Sequence, residues 1–361
     1  MGRALELARR GEGFVEPNPQ VGAVVLAPDG RVVGEGWHER HGGPHAEVVA
    51  LAAAGEAARG GTLVVTLEPC CHHGKTPPCT EAVIASGIRR VVVGAIDPFP
   101  AVAGGGIESL RAAGIEVEEG MLSAEAERLT APFRRLVTSG RPWVIAKWAM
   151  SLDGRIAAAS GNSTWISGEA SRRVVHELRG RMDAILVGIG TALTDDPLLT
   201  ARPPGPRVPL RVVVDSAARL PPGSRLVQTA REVPILVAVG PQAPEERVTT
   251  LRSLGCRIWQ GGAIDRDARL GALLVHLGEQ RLTNLLVEGG SAIFGSLRDT
   301  GLIDEVWAFV APKLLGGERS PAAIGGAGAK LVAEGQRIAV ERMTPLGEDL
   351  LIRGLVIPAG A

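Results

Sequence analysis

HAEVVALAAAGEAARGGTLVVTLEPCCHHGKTPPC, residues 45–79, is the stretch on which the reading of this chain turns. Its AEVVALAAAGEAA segment (46–58) is dense in strong helix formers and closes on Arg59-Gly60-Gly61, which predicts a helix with a glycine stop. TLVVTLEP (62–69) is a short apolar run bounded by glycine and proline, the mark of a buried strand. Working outward, VGAVVLAP (21–28) and RVVGEGWH (31–38) read as two strands around the turn Pro28-Asp29-Gly30. ALELARR (4–10) has helical periodicity. On the other side, TEAVIASG (80–87) predicts a helix with Thr80 as N-cap and Gly87 just past its end. RRVVVGAID (89–97) is another buried strand, and DPFPAVAGGG (97–106) a loop. Alternating strands and helices predict an α/β domain of three layers.

The chain has 361 residues, more than a single core of roughly 250–300 residues accommodates. A boundary falls at TSGRP (138–142), which gives domains 1–140 and 141–361. A second α/β pattern follows. WVIAKWAMSLDG (143–154) is a strand running into a turn, SRRVVHELRGRM (171–182) a helix, and AILVGIGTAL (184–193) a strand with a glycine break. RVVVD, ILVAV, NLLVEGG, VWAFVAP and LLIRGLVI are further strands, and ARPPGPRVPL (201–210) is a loop.

Composition removes several function classes. The formal net charge is zero, which argues against gripping nucleic acid, because phosphate binding needs clustered Lys and Arg. No apolar run approaches the roughly 18 residues of a membrane span, and the N-terminus carries no secretory pattern, so a cytoplasmic enzyme with small-molecule partners is expected. Of the four Cys, three (Cys70, Cys71, Cys79) cluster, which in a reducing compartment favours metal binding over bridging.

The chemistry is written in His45-Ala46-Glu47, Pro69-Cys70 and Pro78-Cys79. One His and two thiolates leave a tetrahedral zinc with an open position for a water whose pKa the metal lowers. Glu47, two residues after the ligand His at a helix start, suits the general acid–base beside that water. H-x-E with paired P-C elements is the zinc-deaminase signature, although here the two Cys are separated by more than C-x-x-C. Gly74, Pro77 and Pro78 suggest a formed loop returning Cys79 to the metal at a helix N-terminus, where the dipole favours thiolate. Cys71 is the rival ligand to Cys70, which is favoured because it directly follows Pro69. His72 and His73 are either solvated loop residues or ligand contacts. A nucleoside or tRNA deaminase joined to an unrelated domain would keep the zinc site, but it calls for a basic groove and a tight C-x-x-C.

Asn18-Pro19-x-Val21-Gly22, Gly36-Trp37-His38, His45-Ala46-Glu47 and the stretch from Glu68 to Cys79 resemble the bacterial bifunctional deaminase/reductase family of riboflavin biosynthesis. The second half is similar to the reductase domain of that family through Lys147-x-Ala149-x-Ser151-Leu152-Asp153-Gly154, Ser163-x-Trp165-Ile166, His176-x-Leu178-Arg179, Asp195-Asp196-Pro197-x-Leu199-Thr200-x-Arg202 and Val287-Glu288-Gly289-Gly290. The resemblance implies a cytidine-deaminase-like domain followed by a dihydrofolate-reductase-like domain. It implies zinc-dependent deamination of a diamino-ribosylamino-pyrimidinone phosphate, then reduction of the ribosyl side chain to ribityl with NADPH. It also implies a homodimer or larger homo-oligomer.

By the same resemblance, His45, Cys70 and Cys79 hold zinc and Glu47 is catalytic. Asn18, His38, Lys75 and Asp97 line the pyrimidine or ribose-phosphate pocket. Ala149, Trp165, Ser167, Thr191, Asp195, Ser216 and the loop of Gly290, Ser291, Ala292, Ile293, Phe294, Gly295 and Ser296 are assigned to NADPH. Ser163, Arg179, Leu199, Arg202 and Glu288 are assigned to substrate, the two arginines suiting a ribose phosphate. Lys147 is either a snorkelling edge residue or a carbonyl-polarising cation, and Asp195 or Glu288 is a candidate proton donor. Two positions depart from the family pattern D-P-N-P and its later basic residue, namely Phe99 and Gly105. No G-x-G-x-x-G follows a first strand. The turns GIGT (188–191) and EGGSAIFGS (288–296) can instead present backbone N–H groups to phosphate.

Overall fold

The computed structural model describes residues 1–73, 77–100 and 102–358. Its contacts divide the chain into two compact units, Met1–Arg141 and Pro142–Ala361.

The first unit runs α1 (Gly2–Ala8), β1 (Gly22–Leu26), β2 (Val32–Trp37), α2 (Ala46–Ala54), β3 (Thr62–Leu67), α3 (Cys79–Ala85), β4 (Arg90–Ala95), α4 (Gly105–Ala112), β5 (Glu116–Glu119), α5 (Ser123–Leu129) and α6 (Ala131–Ser139). The strands form one sheet in the order β2-β1-β3-β4-β5. β1 is antiparallel to both β2 and β3, whereas β3, β4 and β5 are parallel. Side chains alternate across the sheet as a pleat demands. Ala23, Val25, Leu63, Val65, Val91 and Val93 join one core with Ala46, Ala50 and Leu51 of α2, Val83 of α3 and Ile107 and Leu110 of α4. Val24, Val64 and Val92 point the other way, onto Ala4 and Leu7 of α1. These are three layers, and each fully buried Val or Leu contributes about 1.5–3 kcal/mol.

α2 lies flush on β2 because β2 offers glycine there. A Cβ on Gly34 would sit 2.2 Å from the Ala50 carbonyl oxygen, and one on Gly36 2.6 Å from that of Ala46. This close approach fixes the helix end that carries His45 and Glu47. The helix expected over 46–58 stops at Ala54, and a 3₁₀ turn continues to Ala58. Thr80 is not the N-cap of α3. The helix starts at Cys79, and the Thr80 N–H donates to the Cys70 carbonyl (3.2 Å).

The second unit runs β6 (Trp143–Ser151), α7 (Glu169–Arg179), β7 (Ala184–Gly188), α8 (Ile189–Asp195), β8 (Leu210–Val214), α9 (Arg225–Gln228), β9 (Ile235–Val239), α10 (Glu245–Ser253), β10 (Arg257–Gln260), α11 (Arg266–Glu279), β11 (Asn284–Gly289), α12 (Ser291–Asp299), β12 (Glu305–Ala311), β13 (Ile338–Leu346) and β14 (Asp349–Val356). All nine strands form one sheet, ordered β10-β9-β8-β7-β11-β6-β12-β14-β13. It is parallel from β10 to β12, and β14 is antiparallel to both of its neighbours. The central strands are apolar on both faces, as a covered parallel sheet requires. Ile145, Ile185, Val187, Val213, Val237 and Leu286 pack with α7, α9 and α10 on one side. Val144, Leu186, Val212, Leu236, Leu285 and Val287 pack with α11 and α12 on the other. From β7 the chain walks outward to β10, then returns to insert β11 beside β6. That reversal opens a crevice at the carboxyl ends of the strands, where such sheets bind ligands.

Candidate metal centre and nucleotide cavity

In the first unit, three ligand atoms converge from two helix starts and a strand end. His45 is the N-cap of α2, Cys79 opens α3, and Cys70 lies three residues past β3. His45 Nδ1 is 3.1 Å from Cys79 Sγ and 3.6 Å from Cys70 Sγ, and all three donor atoms lie within 4.8 Å of one another. Zinc–sulphur and zinc–nitrogen bond lengths place tetrahedral ligand atoms roughly 3.5 Å apart, so the three residues fit the ion. Hydrogen bonds from Cys79 and His45 hold the Cys70 thiol well below the ordinary thiol range, favouring the thiolate a metal needs. The Cys79 N–H also donates to Cys70 Sγ (3.3 Å), so a ligand sulphur accepts from the first turn of α3. Glu47, in the first turn of α2, is 3 % exposed. Burial pushes its carboxyl up to about 7, a value suited to a group that both takes and gives a proton near neutrality.

The expected pyrimidine contacts divide. Asn18 Nδ2 is 3.1 Å from His38 Nε2, and His38 Nδ1 is 2.9 Å from the Pro44 carbonyl. His38 is buried with both ring nitrogens engaged, so it orients the Asn18 amide and offers no free polar atom of its own. Asp97 is buried, and desolvation pushes its carboxyl up to about 6. Its Oδ1 accepts from the Phe99 N–H (2.8 Å). Phe99 tilts against His72 with ring centroids 5.8 Å apart, and His72 Nδ1 is buried with no hydrogen-bond partner among the described residues. His73 turns outward to Glu81 (3.4 Å). Lys75 lies outside the described residues.

In the second unit a cavity of about 1080 Å³ opens at the carboxyl ends of β6, β7, β8 and β11. Lys147 and Ala149 come from β6, Thr191 and Asp195 from α8, and Ser216 from the loop after β8. Glu288 is at the end of β11, with Gly290, Ser291, Ala292, Ile293 and Phe294 beyond it. Ser163, Trp165, Ser167, Arg179 and Arg202 complete the sequence-expected part of the wall. Three expected contacts do not reach it. Leu199 is 2 % exposed and packs in the core between the sheet and α7. Gly295 is pressed against the backbone of Gly325 and Gly326, and Ser296 is 1 % exposed on the inner side of α12. The turn before α12 approaches α8 closely, for a Cβ on Gly289 or on Gly290 would lie 3.2 Å from Thr191 Oγ1.

The floor of the cavity is charged. Arg179 grips Glu288 bidentately (Nε–Oε1 2.5 Å, Nη2–Oε2 2.7 Å). Burial alone would raise the Glu288 carboxyl, but the Arg179 guanidinium holds it below the ordinary carboxylate range. Desolvation pushes the Lys147 ammonium down, against the pull of Glu288. Ser163 Oγ donates to Asp195 Oδ1 (2.9 Å). His176, not singled out as a site residue from the sequence, bonds the Thr200 carbonyl through Nδ1 (3.2 Å) and faces Arg202 Nη2 through Nε2 (3.3 Å). Arg172 stacks on Trp165 at 4.2 Å, and Arg219 and Arg266 line the same cavity as Ser216. Lone arginines carry no sequence signal. What marks these is their arrival at one crevice from α7, the β8 loop and the start of α11.

Fold and site together define a two-part enzyme, a zinc-dependent hydrolytic deaminase joined to a nucleotide-dependent reductase. Residues 1–95 match the cytidine and deoxycytidylate deaminase zinc-binding region, and residues 142–352 match the RibD C-terminal domain. The chain belongs to the RibD family of bifunctional riboflavin-biosynthesis enzymes. It is 41% identical over 357 residues to the riboflavin biosynthesis protein RibD of Actinobacillus pleuropneumoniae, covering 99% of this chain and 94% of that one. It is 42% identical to the Aquifex aeolicus protein, covering 97% and 95%. Among solved structures it is similar to Acinetobacter baumannii RibD, form 1 (TM-score 0.86, 37% identity, 99% and 98% covered). It is also similar to the Thermotoga maritima diaminohydroxyphosphoribosylaminopyrimidine deaminase/5-amino-6-(5-phosphoribosylamino)uracil reductase (0.84, 38%, 99% and 97%).

Proposed function

We propose that residues 1–141 hydrolyse the amino group from 2,5-diamino-6-ribosylamino-4(3H)-pyrimidinone 5′-phosphate, and that residues 142–361 reduce the ribosyl side chain of the product to ribityl. The observation that carries the first half is the convergence of His45 Nδ1, Cys70 Sγ and Cys79 Sγ beside the buried Glu47 carboxyl. Zinc held by those three residues supplies the Lewis acidity that makes water a nucleophile near neutral pH. Glu47 takes the proton of the attacking water and returns it to the departing amine, so that a carbonyl replaces the amino group and ammonia leaves. Asn18, aimed by His38, and Asp97 orient the pyrimidine, and His72 offers it a buried nitrogen that has no hydrogen-bond partner among the described residues.

In the second half, bound NADPH supplies a hydride. The ribosyl-to-ribityl change breaks the bond between the anomeric carbon and the ring oxygen, and adds the hydride to that carbon and a proton to that oxygen. Glu288, locked as a carboxylate by Arg179, is a poor proton donor. Lys147, half-buried at the same floor, is the acid assigned to that step. Arg202, backed by His176, faces the substrate phosphate. Ser216, Arg219 and Arg266 present two cations and a hydroxyl to the cofactor's third phosphate, which distinguishes NADPH from NADH. Arg269 donates to Ser216 Oγ (2.7 Å) and leaves its O–H free to point at that phosphate.

X-ray absorption at the zinc edge tests the metal half. Two sulphurs and one nitrogen per zinc are expected, and a third sulphur would bring in Cys71 and overturn the ligand set. The homodimer or larger assembly implied by the resemblance finds support in β13, an outer strand that exposes Val340 and Met343. A cytoplasmic setting agrees with four cysteines that form no disulfide among the described residues and with no described helix long and apolar enough to cross a membrane.

A further inference from the structure

Glu68 is 3 % exposed and stands between β3 and the ligand Cys70. Its own N–H extends the ladder between β3 and β4 by donating to the Ala95 carbonyl (2.9 Å). Its carboxylate accepts four backbone N–H groups from the loop across the pocket. Oε2 takes those of Asp97 (3.2 Å) and Gly104 (3.0 Å), and Oε1 those of Gly106 (2.9 Å) and Ile107 (3.2 Å). The last three are first-turn donors of α4, which have no partner within their own helix. Gly104, the N-cap, sits at φ +90 and brings no capping side chain. A carboxylate is also what the positive end of a helix dipole favours. Behind it the chains nearly touch, since a Cβ on Gly106 would fall 2.0 Å from the Pro69 carbonyl oxygen.

We propose that Glu68 is a positioning residue for deamination, clamping the Asp97–Ile107 segment to the strand end that delivers Cys70, so that the Asp97 carboxyl and the metal ligands keep one spacing. This rests on the functional reading above, in which Asp97 contacts the pyrimidine. It also accounts for the departures at Phe99 and Gly105. The segment is held by backbone N–H groups on Glu68 and by the Phe99 N–H on Asp97, so no side chain at 99 or 105 is needed to shape it. Phe99 is then free to lie against His72, and Gly105 to leave room beside Cys71 Sγ, 3.2 Å from where its Cβ would be.

Glu68→Gln keeps the shape but sets an NH₂ group against two of the four N–H donors. Ammonia release, zinc per chain and amide hydrogen exchange are measured on the full chain, with NADPH oxidation of already deaminated substrate as the control for the second unit. Zinc is expected to stay bound, with faster exchange at residues 97 and 104–107 and a kcat per zinc close to that of the parent. KM is expected to rise by about tenfold or more, as follows from losing two buried hydrogen bonds to a charged acceptor. Unchanged KM per bound zinc overturns the proposal, as does an activity loss that only follows zinc loss. If Glu68→Gln does not fold, Glu68→Asp, a carboxylate one methylene short, must still raise KM with zinc retained, and parental kinetics would overturn the proposal. Failure of the parent protein to release ammonia would instead sink the functional reading itself.

Discussion

At the scale of single residues, proton chemistry is concentrated in two groups of opposite sign, the buried Glu47 carboxyl and the half-buried Lys147 ammonium. Glu47→Gln keeps the size and loses the proton shuttle, so kcat for ammonia release should fall by about 10²–10⁴-fold. Zinc content should be unchanged, which plasma emission on the purified variant checks. An active Glu47→Gln protein would remove the acid–base assignment. In the second unit, desolvation holds the Lys147 pKa below its ordinary value, while Glu288 is held below its own. A group that must be cationic fails as pH rises through its pKa. The reductase kcat/KM should therefore decline on the alkaline side, beginning below the usual lysine range, and stay flat on the acid side down to the carboxylate range. Lys147→Arg, protonated at every accessible pH, should shift that alkaline limb upward, and a pH profile unmoved by this substitution would exclude Lys147 as the titrating group. The metal ligands and Glu47 were legible because residue type and spacing are the chemistry itself. Leu199, Gly295 and Ser296 were misplaced because a family pattern transfers a position without the direction of its side chain, and here backbone packing turns all three inward. For His38 the sequence shows an imidazole but not that both of its nitrogens are engaged by Asn18 and Pro44.

At the scale of elements, the seating of α2 on β2 decides whether Glu47 and His45 arrive together. Gly36→Ala adds a methyl 2.6 Å from the Ala46 carbonyl oxygen and 2.8 Å from Val49 Cβ. The helix must lift, at a cost of about 1–3 kcal/mol of stability. Thermal unfolding should show a lower Tm and zinc titration a weaker affinity, whereas parental zinc binding would mean that the helix is not held by this contact. The strands that read correctly, β1, β3, β4, β8, β9 and β11, are short apolar runs buried on both faces, where composition alone is decisive, whereas the stretch read as one strand over 184–193 is strand only to Gly188 and turns into α8 from Ile189. β5, β10 and β13 escaped because EVEE, RIWQ and IAVERMTPL are largely solvent-facing edge or near-edge segments with little apolar periodicity. The N-cap of α3 was misjudged by two residues, Pro78 instead of Thr80, since Thr80 is a good capping residue by type but a metal-ligand sulphur and a backbone carbonyl take the first-turn donors. The cavity floor was half legible. Arg179 and Glu288 were both assigned to substrate, but their bidentate pairing across α7 and β11 is a tertiary fact.

At the scale of the whole molecule, each unit has its own sheet, core and chemistry, and only the first carries the metal-binding cluster found among the described residues. A chelator strong enough to strip zinc should therefore abolish ammonia release and leave NADPH oxidation intact when already deaminated pyrimidine is supplied. Loss of both would tie the second half to the metal as well. Cofactor choice belongs to this scale too, because its cations arrive from separate elements. Arg219→Ala with Arg266→Ala should narrow the preference for NADPH over NADH by about 10²-fold, taking each charge-assisted contact at its ordinary worth. Calorimetric binding of 2′,5′-ADP against 5′-AMP reads that directly, and an unaltered ratio would place the third phosphate elsewhere.

The most direct test follows ammonia release and NADPH oxidation separately, on one preparation of the intact chain with its zinc quantified, given the diamino-ribosylamino-pyrimidinone phosphate. The account expects both signals in sequence, ammonia first and oxidation matching it mole for mole. NADPH oxidation that appears only with pre-deaminated substrate would contradict the first half, and ammonia release never followed by oxidation would contradict the second.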